Sequence, residues 1–127
     1  MENRILIVDD EEEICSVLAR RLAKEGYSPI TANNGREALN HFYKESFSLI
    51  ISDIKMPDMN GIEFLKNVRT VNPNIMVIMM TAFPEIDRVV EAMRLGACDF
   101  ILKPFDLDQV VLSVKKASGV GDETIFI

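Results

Sequence analysis

The sequence has few soft or borderline metal ligands: two cysteines and one histidine. Cys15 and Cys98 lie far apart with no metal-ligand spacing, and His41 falls in a helical pattern with no partner motif. Neither a zinc site nor a redox pair is expected. The thiols are expected to be buried and free, Cys15 in a helix and Cys98 at the opening of a mixed strand, with His41 on the surface. Positive charge is also short. Lys and Arg number 14 against 20 Asp and Glu, a formal net charge of −6, which argues against direct contact between this domain and nucleic acid. No apolar stretch approaches the length that crosses a bilayer, and the N-terminus lacks a basic-then-apolar signal pattern. No membrane partner is therefore expected, and the expected location is cytoplasmic. Repeats and low-complexity segments are missing too. What remains is 127 residues, 48 % hydrophobic and 27 % charged, enough for one globular domain with a core of ordinary size.

Short apolar runs alternate with helical patterns along the chain. The run Ile5-Leu6-Ile7-Val8 reads as a buried strand, about Arg4 to Val8, and stops at Asp9-Asp10. Glu11-Glu12-Glu13 then open a helix with Ile14, Val17, Leu18 and Leu22 on one face and Gly26 as its stop. The second strand, Ser28 to Ala32, contains Pro29, which cannot donate to a ladder and so belongs at a sheet edge. Asn34 with Glu37, and later Asn60 with Glu63, give the helix-start signature of a capping residue followed three places on by an acid. The helix after Asn34 turns Ala38, Leu39 and Phe42 inward. The third strand, Leu49 to Ser52, stops at Asp53 and is apolar enough to be covered on both faces. The helix after Asn60 shows Ile62, Leu65 and Val68 and ends at Asn72-Pro73. The fourth strand, Ile75 to Met80, is the most apolar run, is expected to be central, and stops at Thr81. Pro84 suits the first turn of a helix with Ile86, Val89, Val90 and Met93 on one side and Gly96 as its stop. Phe100-Ile101-Leu102 leads to Lys103-Pro104, and Asp106 with Gln109 opens a last helix striped by Leu107, Val110, Val111 and Val114.

Five strands alternating with five helices imply right-handed βαβ units, a parallel sheet and helices on both faces. An edge second strand and a central fourth strand fit the doubly wound order 2-1-3-4-5. In that order the chain reverses direction between the first and third strands, and ligands bind at such a point beyond the carboxyl ends of the strands. Asp9, Asp10 and Asp53 are thus expected around one crevice, with Thr81 and Lys103 on the same rim. Three close carboxylates must either take up protons or share a cation. Oxygen ligands with no nearby His or Cys suit Mg²⁺ rather than zinc. Lys103 is a compact charge for a phosphate oxygen, Thr81 can donate a hydrogen bond, and a carboxylate can act as nucleophile toward phosphorus. Singly, each residue has a plainer role: Asp9-Asp10 as a helix cap, Asp53 as a loop start, Thr81 as a cap, Lys103 as a solvated lysine. The coincidence of four strand ends favours the joint reading. For most of Glu11, Glu12 and Glu13 a solvated acidic first turn suffices.

Val8-Asp9-Asp10-Glu11, Asp53-x-x-Met56-Pro57-x-Met59-x-Gly61, Thr81-Ala82, Gly96-Ala97-x-Asp99-Phe100 and Lys103-Pro104-Phe105 occur in this order over roughly residues 3 to 116. Together they resemble the receiver domains of two-component response regulators. Phe83-Pro84-Glu85 and Lys103-Pro104-Phe105-Asp106 look most like the nitrogen-regulator type, which often precedes an AAA+ transcriptional activator (sigma-54 activators). The resemblance implies that Asp53 is the phosphoacceptor. It implies that Asp10, Asp53 and the Lys55 backbone carbonyl ligate Mg²⁺, with Asp9 acting mainly through water. Lys103 would pair with the phosphoryl group, Thr81 would move toward it, and Phe100 would be the switch aromatic. Phe100 stands where many members have Tyr, which puts a phenolic hydrogen bond in doubt. The Lys103-Pro104 bond is usually cis in the family, and Lys55 and Phe83 match positions that tune phosphate lifetime. The implied partners are a sensor histidine kinase and either an output domain of the same protein or a second receiver, met through the fourth helix, fifth strand and fifth helix. Residues 1–117 would form the receiver domain and 118–127 a tail or the start of a linker. The domain would catalyse only its own phosphorylation and dephosphorylation.

Three other classes fit less well. A phosphohydrolase using an aspartyl phosphate needs a second acid two places after the nucleophile, but position 55 is Lys, and 127 residues leave no room for a cap. A receiver serving only as an interaction module would normally lack an acid, Thr81 or Lys103. A flavin-binding protein of the same strand order needs a hydroxyl-rich loop after the first strand, where this chain has acids that would repel phosphate.

Overall fold

The computed structural model describes residues 3–82 and 86–119. Strands and helices alternate as β1 (Arg4–Val8), α1 (Glu12–Lys24), β2 (Ser28–Ala32), α2 (Gly35–Lys44), β3 (Leu49–Asp53), α3 (Gly61–Val71), β4 (Met76–Thr81), α4 (Ile86–Arg94), β5 (Asp99–Leu102) and α5 (Leu107–Ala117). All strand pairs are parallel, and the order is β2-β1-β3-β4-β5, as expected. Pro29 does sit on an edge strand. β4 is interior, flanked by β3 and β5, although the middle strand is β3.

The two-residue period of the strands divides the core. Ile5, Ile7, Leu49, Ile51, Ile78 and Met80 pack with Cys15, Leu18 and Leu22 of α1 and Val110, Val111 and Val114 of α5. Leu6, Val8, Ile50, Val77 and Met79 pack on the other face with Leu39 and Phe42 of α2, Phe64, Leu65 and Val68 of α3 and Ala92 of α4. Each isoleucine or leucine buried this way contributes about 1.5–3 kcal/mol. β1 and β3 are thus clamped from both sides, and their ends are the best-fixed points of the fold.

Helix boundaries follow local chemistry. Asn60 and Glu63 form a reciprocal capping box at α3. At α2, Asn34 Oδ1 accepts from the Glu37 amide, but the Glu37 carboxylate accepts from the amide of Asn33 rather than of Asn34. Gly26 (φ +96°) and Gly96 (φ +87°) end their helices in the left-handed region that a Cβ disfavours. The Lys103–Pro104 peptide bond is cis.

Two expectations are corrected, for α1 and Cys98, and in α4 the structure decides what the period left open. In α1 the inward positions are Cys15, Leu18 and Leu22, while Val17 is exposed. The apolar stripe of α4 is not covered: Ile86 is 78 %, Val90 42 % and Met93 49 % exposed, and only Ala92 is buried in that helix. Helical periodicity shows that these residues share a side and says nothing of what lies against it. Cys98 is exposed just before β5, whereas Cys15 is buried as expected. Phe83, Pro84, Glu85 and residues 120–127 of the tail lie outside the described residues.

Candidate functional site

The site is built where the clamped strands stop. Asp9 follows β1, and its amide donates to Ala32 O at 3.1 Å. Its Oδ1 accepts from the Glu11 amide at 2.9 Å, which turns the chain into α1 and fixes the carboxylate with no exposed surface. The N-cap of α1 is Glu11, with no side-chain cap bond, so the plainer reading of Asp9 as a helix cap does not hold. Asp10 is exposed beside it. Asp53 ends β3 in register with Met80 and is buried; its Oδ1 accepts a long contact, 3.4 Å, from the Lys55 amide. Thr81 ends β4 and is also buried. The Lys103 amide donates to Thr81 O at 2.8 Å, which ties the end of β5 to the end of β4.

Lys103 Nζ stands 2.7 Å from Asp9 Oδ2, 3.1 Å from Asp53 Oδ2 and 3.5 Å from Glu11 Oε1, with its side chain 10 % exposed. Asp9 Oδ2 is fully buried, and among the described residues Lys103 is its one partner. Carboxylate oxygens of Asp9, Asp10 and Asp53 lie within 4.8 Å of one another. Burial raises the Asp9 carboxyl above its ordinary range against the pull of Lys103. Burial and the charge of Asp9 do the same to Asp53. Burial would lower the Lys103 ammonium, but Asp9 and Asp53 outweigh it and hold the ammonium up. One cation against this many acids leaves the cluster short of positive charge. The all-oxygen donor set and the poorly satisfied Asp9 oxygen fit a hard divalent ion such as Mg²⁺.

The cluster opens on a depression of about 270 Å³ lined by Asp10, Glu11, Asp53, Lys55, Thr81, Ala82 and Lys103. A larger one, about 560 Å³, lies between the starts of α2 and α3. Its charged lining, Arg36, Asp58 and Glu63, is exposed, so the smaller depression is where buried groups converge. Lys55 is exposed at its edge. Phe100 is not on the rim: it pairs with Met79 inside the sheet and is half-buried against the α2–α3–α4 side. Sequence reasoning undervalued Glu11. Its approach to Lys103, 92 residues away, is made by topology and leaves no local signal.

Relief of charge predicts a stability gain. Asp53→Asn should raise the melting temperature of the metal-free protein by roughly 3–6 °C, about 1 kcal/mol. Mg²⁺ should raise the melting temperature of the variant less than that of the parent. A fall on substitution, read by calorimetry, would mean that attraction to Lys103 outweighs repulsion from Asp9.

A doubly wound sheet with three acids, a lysine and a threonine on its carboxyl rim defines the receiver class of signalling domain. The response regulator receiver domain family matches residues 5–115, and the chain belongs to it. Regulatory protein AtoC of Escherichia coli (strain K12) is 45 % identical over 115 residues, 91 % of this chain. The chain spans only 25 % of AtoC's length. Sporulation initiation phosphotransferase F of Bacillus subtilis (strain 168) is 44 % identical over 116 residues, 91 % of this chain and 94 % of that protein. Among solved structures, the beryllofluoride-activated NtrC4 receiver domain dimer has a TM-score of 0.85 at 38 % identity, covering 91 % of this chain and 95 % of its own. TrrA of Thermotoga maritima, in complex with Mg²⁺ and BeF, has a TM-score of 0.82 at 35 % identity, covering 92 % and 99 %. AtoC and NtrC4 support the nitrogen-regulator resemblance. Among the described residues no helix is long and apolar enough to cross a membrane.

Proposed function

We propose that this chain is a Mg²⁺-dependent phosphorylation switch whose acceptor is Asp53. The observation that carries the reading is the position of Asp53: its Oδ2 is 3.1 Å from Lys103 Nζ, in one cluster with Asp9 and Asp10, at the floor of an open depression. An Asp53 carboxylate oxygen attacks phosphorus. The bond from phosphorus to the donor breaks, N–P in a phosphohistidine of a sensor kinase or O–P in a small phosphodonor, and the donor keeps the electron pair. Lys103 pairs with the phosphoryl oxygens, and Thr81 moves to donate to one of them. Asp10, Asp53 and the Lys55 carbonyl would hold the ion, and the buried Asp9 would act on it mainly through water. Mg²⁺ supplies neutralisation of the charge on the transferring group.

Movement of Thr81 frees space that Phe100 follows, and the face of α4, β5 and α5 is biased between two arrangements. Ile86, Val90 and Met93 on α4, Leu102 on β5 and Leu112 on α5 are exposed there and suit a second receiver or an output domain of the same protein. The NtrC4 dimer supports the first, and the regulatory relatives of which this chain spans a part support the second. Residues 1–117 form the signalling domain and 118–127 a tail or linker start, consistent with α5 ending at Ala117. The domain acts in the cytoplasm and catalyses only its own phosphorylation and dephosphorylation.

Acetyl phosphate with and without Mg²⁺, read by intact mass, tests this. A Mg²⁺-dependent, base-labile phosphoryl adduct is expected, and none on Asp53→Ala. Equal labelling of Asp53→Ala would sink the assignment.

A further inference from the structure

Arg69 lies near the end of α3 and donates to four backbone carbonyls. Nε reaches Leu95 O at 2.5 Å, Nη1 reaches Ile75 O at 2.8 Å and Asn72 O at 3.3 Å, and Nη2 reaches Gly96 O at 3.1 Å. Asn72 is the C-terminal cap of α3, Ile75 leads into β4, and Leu95 and Gly96 directly follow α4. Carbonyls at helix C-termini lack intrahelical partners and carry partial negative charge, so a cation with a fork of donors is matched to them. Gly96 leaves room for the fork: a Cβ there would stand 3.2 Å from Nη2.

The rest of α4 is more exposed. Ala92 is its only buried side chain, and the Lys66–Glu91 ion pair at 3.1 Å is exposed and worth little. Ile86, at the opposite end from the Arg69 contacts and closest along the chain to Thr81, is 78 % exposed. One end of the helix is pinned by charge-assisted hydrogen bonds, and at the other Ile86, Asp87 and Arg88 are exposed to solvent.

We propose that Arg69 is the pivot of α4: a positioning residue that pins the C-terminal end of the helix to α3 and the entry of β4, so that the switch turns α4 about that end. The pin stands on the four contacts alone. The turning rests on the phosphorylation reading above.

The test is amide hydrogen exchange on the whole chain. The amides of Leu95, Gly96 and Ala97 close the end of α4 by bonding to Glu91, Met93 and Ala92 carbonyls, and they report on the pin. In Arg69→Met these amides should exchange at least about tenfold faster, with β1 and α1 unchanged. Beryllofluoride with Mg²⁺ should alter exchange of the parent over Ile86–Val90 and spare Leu95–Ala97; in the variant the change should reach Leu95–Ala97. Phosphoryl labelling of the variant should stay within about threefold of the parent, because Arg69 touches no residue of the acid cluster. Unchanged protection in Arg69→Met overturns the pin, and so does a uniform loosening of the whole fold. A parent in which both ends of α4 respond equally to beryllofluoride overturns the pivot. If the parent neither labels nor responds, the phosphorylation reading fails and the pivot with it, while the unliganded exchange still decides the pin. Should Arg69→Met not fold, Arg69→Lys is read the same way, with intermediate protection expected because one ammonium cannot serve four carbonyls.

Discussion

Gly61→Ala should lower stability by about 3 kcal/mol, roughly 10 °C in melting temperature, and slow labelling of Asp53. Gly61 is the first residue of α3, and its amide donates to Ile54 O at 2.7 Å. A Cβ there would stand 2.3 Å from Asp53 O, 2.7 Å from Ile54 Cα and 3.0 Å from the Met79 methyl. The methyl can swing aside, but the first two atoms are backbone. Either α3 backs away and breaks its packing through Phe64, Leu65 and Val68, or the end of β3 shifts and takes Asp53 with it. A displacement of about 1 Å at a reacting group costs roughly 100-fold in rate. Gly26→Ala is the control. Gly26 has φ +96° with nothing within 4 Å of a built Cβ, so its cost is conformational only, about 1 kcal/mol, and labelling should be unchanged. Urea unfolding and acetyl phosphate labelling measure both variants. Equal costs would show that α3 slides freely over Asp53.

The contrast with Gly61 shows which parts of the molecule were legible in the sequence. Motif spacing marked Gly61 but not the atoms it approaches, because those belong to a strand end brought back by a seven-residue loop. Four strands were readable because each is a short apolar run cut off by a polar residue, and Pro29 gave away the edge position of the fifth. The edge β2 and the strongly apolar, interior β4 chose the strand order, and the order put Asp9, Asp10 and Asp53 together. The α4 stripe was legible as a shared side, but its exposure was not, because a covered face and an exposed one have the same period. Cys98 was misread because a thiol next to a strand is usually inside it, yet β5 begins one residue later. Arg69 left no signal at all: its partners are carbonyls, which every residue has. Contacts between side chain and backbone across elements are invisible to patterns of residue type, and Glu11 beside Lys103 shows that long-range ion pairs are hardly better.

The same physics that made the acid cluster readable makes its lysine indispensable, and Lys103→Met should destabilise the metal-free protein by about 3–5 kcal/mol at neutral pH. The methionine stem can fill the channel, so the loss isolates the charge. Without the ammonium, Asp9, with no exposed surface, and Asp53, 6 % exposed in its side chain, face each other with no cation between them. Both carboxyls are already above their ordinary range, by burial first, and the substitution removes the influence that restrains them. The sign follows from proton binding. A carboxyl whose folded value is raised binds more protons in the folded than in the unfolded state over the interval between the two values, so stability falls as pH rises through that interval. The variant should therefore regain stability on acidification from neutral pH toward the ordinary carboxylate range, more steeply than the parent. Mg²⁺ should restore part of the loss at neutral pH by mass action, because it supplies the missing positive charge. Urea unfolding from pH 5 to 8, with and without Mg²⁺, measures this. A variant as stable as the parent at neutral pH, with no added pH slope, would mean that water already screens the cluster and that Lys103 contributes nothing to holding the acids together.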